Sequence, residues 1–175
     1  MIKGDDVFIH RNVEFTRPEL VKIGNHVAID SGFYCTTALT VGDYVHISPH
    51  VAVIGGKKTA LTVEDFCFIS TGSKLIGGSE TFWGYGLVGP LIPDEFKDDQ
   101  IVKPIVIKRF AGILANSVIL PGVKMAEGSV LGANSLLNSD TEPWTIYAGN
   151  PAKPLRARLK HKCYEYAKKL GYTYE

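Results

Sequence analysis

Two residues in this chain have the chemistry and the surroundings to move a proton. His50 is one of five histidines, beside His10, His26, His46 and His161. Counted in units of eighteen residues, with four extra allowed after Val53, it follows Gly32 and precedes Gly72. By the same count His46 falls between Ala28 and Phe68, and His26 beside Tyr44, as wall residues. An imidazole protruding between two glycines, with open space above and below, can serve as a general base, touch a substrate or a subunit neighbour, or simply be solvated. Glu80 is the second residue, a carboxylate near the start of a long Gly-rich segment. Asp94, Glu95, Asp98 and Asp99 follow it there; they either favour a cationic or hydroxyl-rich ligand or keep the segment soluble. Trp83 and Tyr85 can stack on a sugar ring or a base, or anchor a subunit seam.

The elements that must position these groups declare themselves by period. Ile107, Ile113, Ile119, Met125, Leu131 and Leu137 are six apart, and Ala111, Ser117, Val123, Ser129 and Ser135 come four residues after the first five. Upstream, Ile23, Ile29, Cys35, Val41, Ile47 and Val53 keep the same beat, which resumes at Val63, Ile69 and Leu75. A helix repeats at 3.6 residues and a half-buried strand at 2.0, so a sustained six is neither alone. It is the hexapeptide signature of a β-helix whose coil has three sides. These positions supply about five coils, a prism about 24 Å tall at the spacing of stacked strands.

The expected fold is all-β, a parallel β-helix occupying residues 1–151, with residues 152–175 as a C-terminal helix and tail. Residues 1–22 read as a partial coil capping the open strand edges. Val53-Ile54-Gly55-Gly56 and Leu75-Ile76-Gly77-Gly78 leave the prism at the same corner, the second into an extended loop over residues 77–104. A loop of that length without evident secondary structure is usually functional. Phe82, Trp83, Tyr85 and Phe96 on it need a surface to sit on. Leu155, Leu159, Cys163, Ala167 and Leu170 give the tail one apolar stripe at helical spacing. Seven basic residues there, among them Lys153 and Arg156, face two acidic ones. They form either a solvated face or a grip on a polyanionic ligand.

A length of 175 residues suits one domain, and a net charge of +1 argues against a nucleic-acid partner. Three cysteines without framework spacing are expected to be free thiols. With no apolar leader and no membrane-length run, the expected location is cytoplasmic.

Ile105 to Leu137, IVIKRFAGILANSVILPGVKMAEGSVLGANSLL, followed by IYAGNPAKPLR, resembles the hexapeptide-repeat acyltransferases. The likeness is to sugar and cell-surface polysaccharide acetyltransferases of the galactoside and maltose acetyltransferase type, and it covers about Ile23 to Arg156. That resemblance implies a left-handed β-helix, against the usual crossover hand. It also implies a homotrimer, acetyl-CoA as co-substrate in a cleft between prisms, and a small-molecule sugar acceptor; no metal is expected. The positions matching the cofactor contacts are Gly112, Ala115, Gly132 and Ala133, with Lys153 and Arg156 for the nucleotide end. For each glycine the competing reading is a tight corner.

One departure bears on the chemistry. The family carries a histidine base in a segment shaped like T-x-T-H-P at the start of the long loop. Here that segment is Ile76-Gly77-Gly78-Ser79-Glu80-Thr81-Phe82, with Glu80 almost at the histidine's place. An attacking amine needs a base less than a hydroxyl does. The expected reaction is therefore acetyl transfer to the amine of a nucleotide-linked amino sugar for surface polysaccharide, with His50 and Glu80 as catalytic candidates. O-acetyl transfer, a non-catalytic hexapeptide scaffold, and a γ-type carbonic anhydrase binding zinc through His26, His46 and His50 are the alternatives.

Overall fold

A computed structural model describes residues 1–174 of the chain; Glu175, counted above among the tail's acidic residues, lies outside the described residues. Three parallel sheets wrap a single core. The first face stacks Ile2–Lys3, Val21–Ile23, Ala38–Val41, Ala60–Val63, Ile105–Ile107 and Lys124–Met125. The third runs from Glu14–Phe15 to Leu136–Leu137, and the second from Val7–Ile9 to Val130–Leu131. Thr145–Gly149 and the antiparallel Ala152–Ala157 extend the second face. Each chain circuit thus hydrogen-bonds to the circuits before and after it, leaving open edges only at the prism's two ends.

The inward columns follow the six-residue beat. Ile29, Ile47, Ile69, Ile113 and Leu131 pair in register on the second face and are fully buried. One column of the third face changes character along the prism, from Phe33 and Val51 to Ser73, Ser117 and Ser135. The buried serines donate to backbone carbonyls, Ser117 to Gly132 at 2.8 Å and Ser73 to Leu114 at 3.1 Å. That satisfies the hydroxyls and narrows the core under the last coils.

Four expectations need correction. There are six coils, because residues 1–22 form all three strands in register with the coil above. The long loop is not structureless: Gly78–Glu80 pairs antiparallel with Gln100–Val102, and a 3-10 turn covers Asp94–Phe96. The tail is not helical from residue 152, where the chain folds back as a strand on the open edge left by Thr145–Gly149. The helix is His161–Lys169. Its expected stripe fails with it: Leu159 is 93% exposed, and of the five residues only Ala167 is buried. Burying the sheet edge outweighs helical propensity over residues 152–157.

Two of the prism's edges turn through left-handed residues. Between first and second faces these are Asp6, His26, Tyr44, Phe66 and Phe110, then Gly128 and Trp144. Between second and third they are Gly32, His50, Gly72, Asn116 and Asn134. We call these the aromatic edge and the glycine edge, and the remaining one, which carries both excursions, the loop edge. All three thiols are free, Cys35 and Cys67 buried and Cys163 half-buried. Burial pushes the Cys67 thiol up to about 12, so it packs as a small apolar group.

Candidate functional site

The loop edge holds a cavity of about 430 Å³. Gly55 and Gly78 make it possible: a Cβ on Gly78 would lie 3.0 Å from Gly55 Cα, so the two excursions leave the prism with backbones in contact. One wall is the turn Gly56–Lys58; the other is the hairpin, with Ser79, Glu80, Gln100 and Val102. Asp94 and Lys97 close the far side. Asp94 takes Lys58 at 3.3 Å and Lys97 at 3.4 Å, and the hydrogen bonds from these two ammonium groups hold its carboxyl below the usual carboxylate range. Glu80 is half-buried with no ion-pair partner among the described residues. It remains available to a cation or a hydrogen-bond donor entering the cavity.

The loop beyond Glu80 is organised by a residue the sequence does not single out from its acidic neighbours. Asp99 is 3% exposed and accepts from the Thr81 hydroxyl, from Gly84 N at 2.8 Å and from Tyr85 N at 3.3 Å. A buried carboxylate with three donors fixes the tip between residues 81 and 85. The tip presents Trp83 and Tyr85 outward, 76% and 72% exposed, with their rings edge-on at 6.4 Å. Neither ring finds a surface to cover it among the described residues.

His50 stands on the glycine edge, away from that cavity. Its ring lies down on Gly32, where an added Cβ would come 2.4 Å from His50 Nδ1, and Asn116 fills the matching space at Gly72. The space above and below is therefore occupied. No hydrogen-bond partner reaches the ring among the described residues. The third-face strand from residue 50 to residue 54 separates His50 from the loop edge, roughly 13 Å of extended chain. A single chain does not bring His50 and Glu80 to one reacting atom.

Two other histidines have rings oriented by a carboxylate, and one of them, His46, stands on the outer surface of the second face. Its Nε2 lies 2.8 Å from Asp30 Oδ2, while His26 Nδ1 lies 2.9 Å from Asp6 on the aromatic edge. Asp30 lies two residues along the strand from Ala28, which pairs with His46, so period-two alternation puts it on the same face; that was the available signal. His26, His46 and His50 occupy an edge, a face and another edge, and do not converge as three metal ligands within one chain.

The expected cofactor positions do come together. Gly112 and Gly132 sit at successive levels of the second face, and Ala115 and Ala133 stack at the glycine edge, where Asn134 N donates to Ala115 O. Gly112 is not a corner residue: it lies in a strand, and a Cβ there would meet only Val130 at an ordinary 3.7 Å. Nothing inside the prism requires glycine at 112. Lys153 and Arg156 are exposed on the strand that continues this face, Arg156 beside Ile146. The other tail cations divide: Arg158 donates to Phe110 O and Gly128 O, while Lys162 and Lys169 pair with Glu165.

No family model matches the chain. It is 30% identical over 163 residues to the dTDP-4-amino-4,6-dideoxy-D-glucose acyltransferase of Escherichia coli, covering 90% of this chain and 82% of that one. AntD, an N-acyltransferase from Bacillus cereus crystallised with dTDP and 3-hydroxybutyryl-CoA, superposes with a TM-score of 0.90 at 30% identity, over 97% of this chain and 90% of AntD. The hexapeptide-repeat acetyltransferase VCA0836 of Vibrio cholerae O1 biovar eltor, crystallised with acetyl coenzyme A, superposes less fully, with a TM-score of 0.63 at 27% identity over 76% of this chain and 68% of that one. With six coils of hexapeptide rungs and a relative matched along nearly its whole length, the chain belongs to the hexapeptide-repeat, left-handed β-helix acyltransferases, close to the sugar-nucleotide N-acyltransferases.

Proposed function

We propose that this protein transfers an acyl group from an acyl-CoA thioester to the amine of a dTDP-linked 4-amino-4,6-dideoxy sugar, with acetyl as the group carried. The observation that carries the reading is the near full-length likeness to the Escherichia coli enzyme. Glu80, without an ion-pair partner in its cavity and almost at the place of the family's histidine, supports it chemically. The neutral amine attacks the thioester carbon and the C–S bond breaks. The nitrogen gives up one proton, the departing thiolate takes one up, and amide and free coenzyme A result. Glu80 holds and orients the amine; Trp83 or Tyr85 stacks on the nucleobase or sugar. Gly112, Ala115, Gly132 and Ala133 line the slot for the pantetheine arm, and Lys153 and Arg156 meet its nucleotide end.

The active unit is a homotrimer. The thioester positions lie along the second face and glycine edge, whereas Glu80 lies on the loop edge of the same chain. A neighbouring copy that sets its loop edge against this glycine edge unites the two halves and covers the exposed aromatics. Light scattering should give three chains per particle.

The reaction is tested by coenzyme A release with dTDP-4-amino-4,6-dideoxyglucose against dTDP-glucose, using acetyl-CoA and 3-hydroxybutyryl-CoA in parallel. Turnover is expected only with the amine, and faster with acetyl-CoA. Glu80→Gln should lower kcat/KM by about 10²-fold. Turnover confined to a hydroxyl acceptor would overturn the proposal, and failure to bind any acyl-CoA would make the protein a scaffold.

A further inference from the structure

The third coil, from Val41 to Val63, is four residues longer than the coil before it, and the extra length is spent on the turn Gly56–Lys58, which contributes nothing to the core. It delivers two lysines to the cavity that holds Glu80. Lys57 is exposed and has no ion-pair partner among the described residues. Lys97 is the telling residue: its side chain is only 9% exposed, yet its ammonium reaches Asp94 Oδ1 at 3.4 Å and Pro90 O at 3.5 Å, both near the limit of a hydrogen bond. Asp94 is shared with Lys58. A mostly buried lysine side chain whose ammonium makes only long contacts, flanked by two more lysines and one shared carboxylate, is short of negative charge.

We infer that Lys57, Lys58 and Lys97 form a diphosphate-binding wall in the cavity that Glu80 shares. The inference rests on the proposed acceptor class, whose members join an amine to a diphosphate within one small molecule. The cavity has the matching polarity, a free carboxylate on the hairpin and a cluster of cations on the facing turn and loop. Because coenzyme A carries a diphosphate too, the test must separate the two sources.

Binding of dTDP and of coenzyme A is measured separately by calorimetry on the full-length protein, at low and at physiological salt. Lys57→Ala removes a surface ammonium with no partner and leaves the fold intact; Lys97→Met keeps most of the buried volume and is checked by its melting temperature. Each variant should weaken dTDP about tenfold, the loss of roughly one close charge pair, with less salt dependence than the parent and coenzyme A affinity within twofold. Unchanged dTDP affinity in both variants would overturn the inference. So would a loss transferred to coenzyme A, which would place the lysines in the thioester site. If the parent binds no dTDP yet acylates a different amine, the acceptor class fails first and the wall falls with it.

Discussion

The aromatic edge and the glycine edge are built on the same backbone trick, a left-handed residue in nearly every coil, and they are filled in opposite ways. A non-glycine residue in that conformation costs roughly 1 kcal/mol. On the aromatic edge the rings return it: Tyr44 lies 4.5 Å from His26 and 5.2 Å from Phe66, which lies 5.2 Å from Phe110. At Gly128 the missing side chain leaves room for Trp144, and the tail brings Tyr172 and Tyr174 edge-on to the stack. Asp43 and Asp65 each accept a backbone N–H of the coil before, at 2.7 and 2.8 Å. On the glycine edge only a histidine and two asparagines project, and none stacks on an aromatic ring. One edge is closed by the chain's own aromatics. The other is left low enough for another wall to approach.

The sharpest way to break this contrast is Phe110→Ala. Phe110 is 6% exposed and packs against Phe66, Trp144, Tyr164 and Tyr174, while Arg158 fastens its carbonyl. The variant should lose about 3 kcal/mol, toward the lower end for a core phenylalanine because part of the neighbourhood is solvent-facing. Chemical denaturation would show it as a lower midpoint at unchanged slope. A loss below about 1 kcal/mol would mean that the ladder is ornament on a coil held by its inner rungs.

The core was legible because burial repeats with the coil: every six-spaced apolar position from Ile23 to Leu137 is an inward rung. The aromatic ladder was not, although Tyr44, Phe66 and Phe110 are spaced by whole coils plus the insertions. Outward aromatics carry no hydrophobic-inside signal, and nothing in the pattern demands that they stack. At the candidate site, the loop edge and the place of Glu80 beside it were readable from the Gly pairs and the family segment. The convergence of Lys57, Lys58 and Lys97 and the contacts of Asp99 were not, since they depend on how two excursions meet. His50 was singled out for open space that its own ring and Asn116 occupy. Stacking arithmetic finds neighbours but does not say which way a side chain lies.

A second, smaller break concerns the tail. Tyr172 OH donates to Asp43 at 2.6 Å and Tyr174 OH to Asp65 at 2.8 Å, with Arg109 over the Tyr174 ring at 4.5 Å. Tyr174→Phe should cost about 1 kcal/mol, a hydrogen bond to a carboxylate discounted for exposure. The hydrogen bond to Asp43, more than burial, raises the Tyr172 hydroxyl to about 12. Since the folded value is raised, the clasp's contribution is complete below pH about 10, the unfolded value, and is lost as pH climbs through about 12. At the acid end, burial pushes the Asp43 carboxyl up, but hydrogen bonds from Asn25 and Tyr172 outweigh it and hold it low. That contribution is present above the unfolded carboxylate range and fades as pH falls through the folded value. A Tyr172→Phe, Tyr174→Phe double variant whose melting temperature has the alkaline profile of the parent would remove the clasp from the account.

The smallest effect is expected on the glycine edge. His50→Ala deletes an exposed ring that has no hydrogen-bond partner, at a backbone φ of +61° that alanine shares at similar cost. Stability should stay within about 0.5 kcal/mol of the parent. On the proposed mechanism, turnover of the amino-sugar acceptor should fall less than about threefold, because the neutral amine brings its own lone pair and Glu80 would hold it on the other edge. The two edges then divide the work, aromatic for stability and glycine for approach, with proton chemistry on neither. A drop of about 10²-fold with acyl-CoA affinity unchanged would contradict this. It would make His50 the base after all and require a neighbouring copy to carry the acceptor to it, since one chain holds His50 and Glu80 too far apart to share an atom.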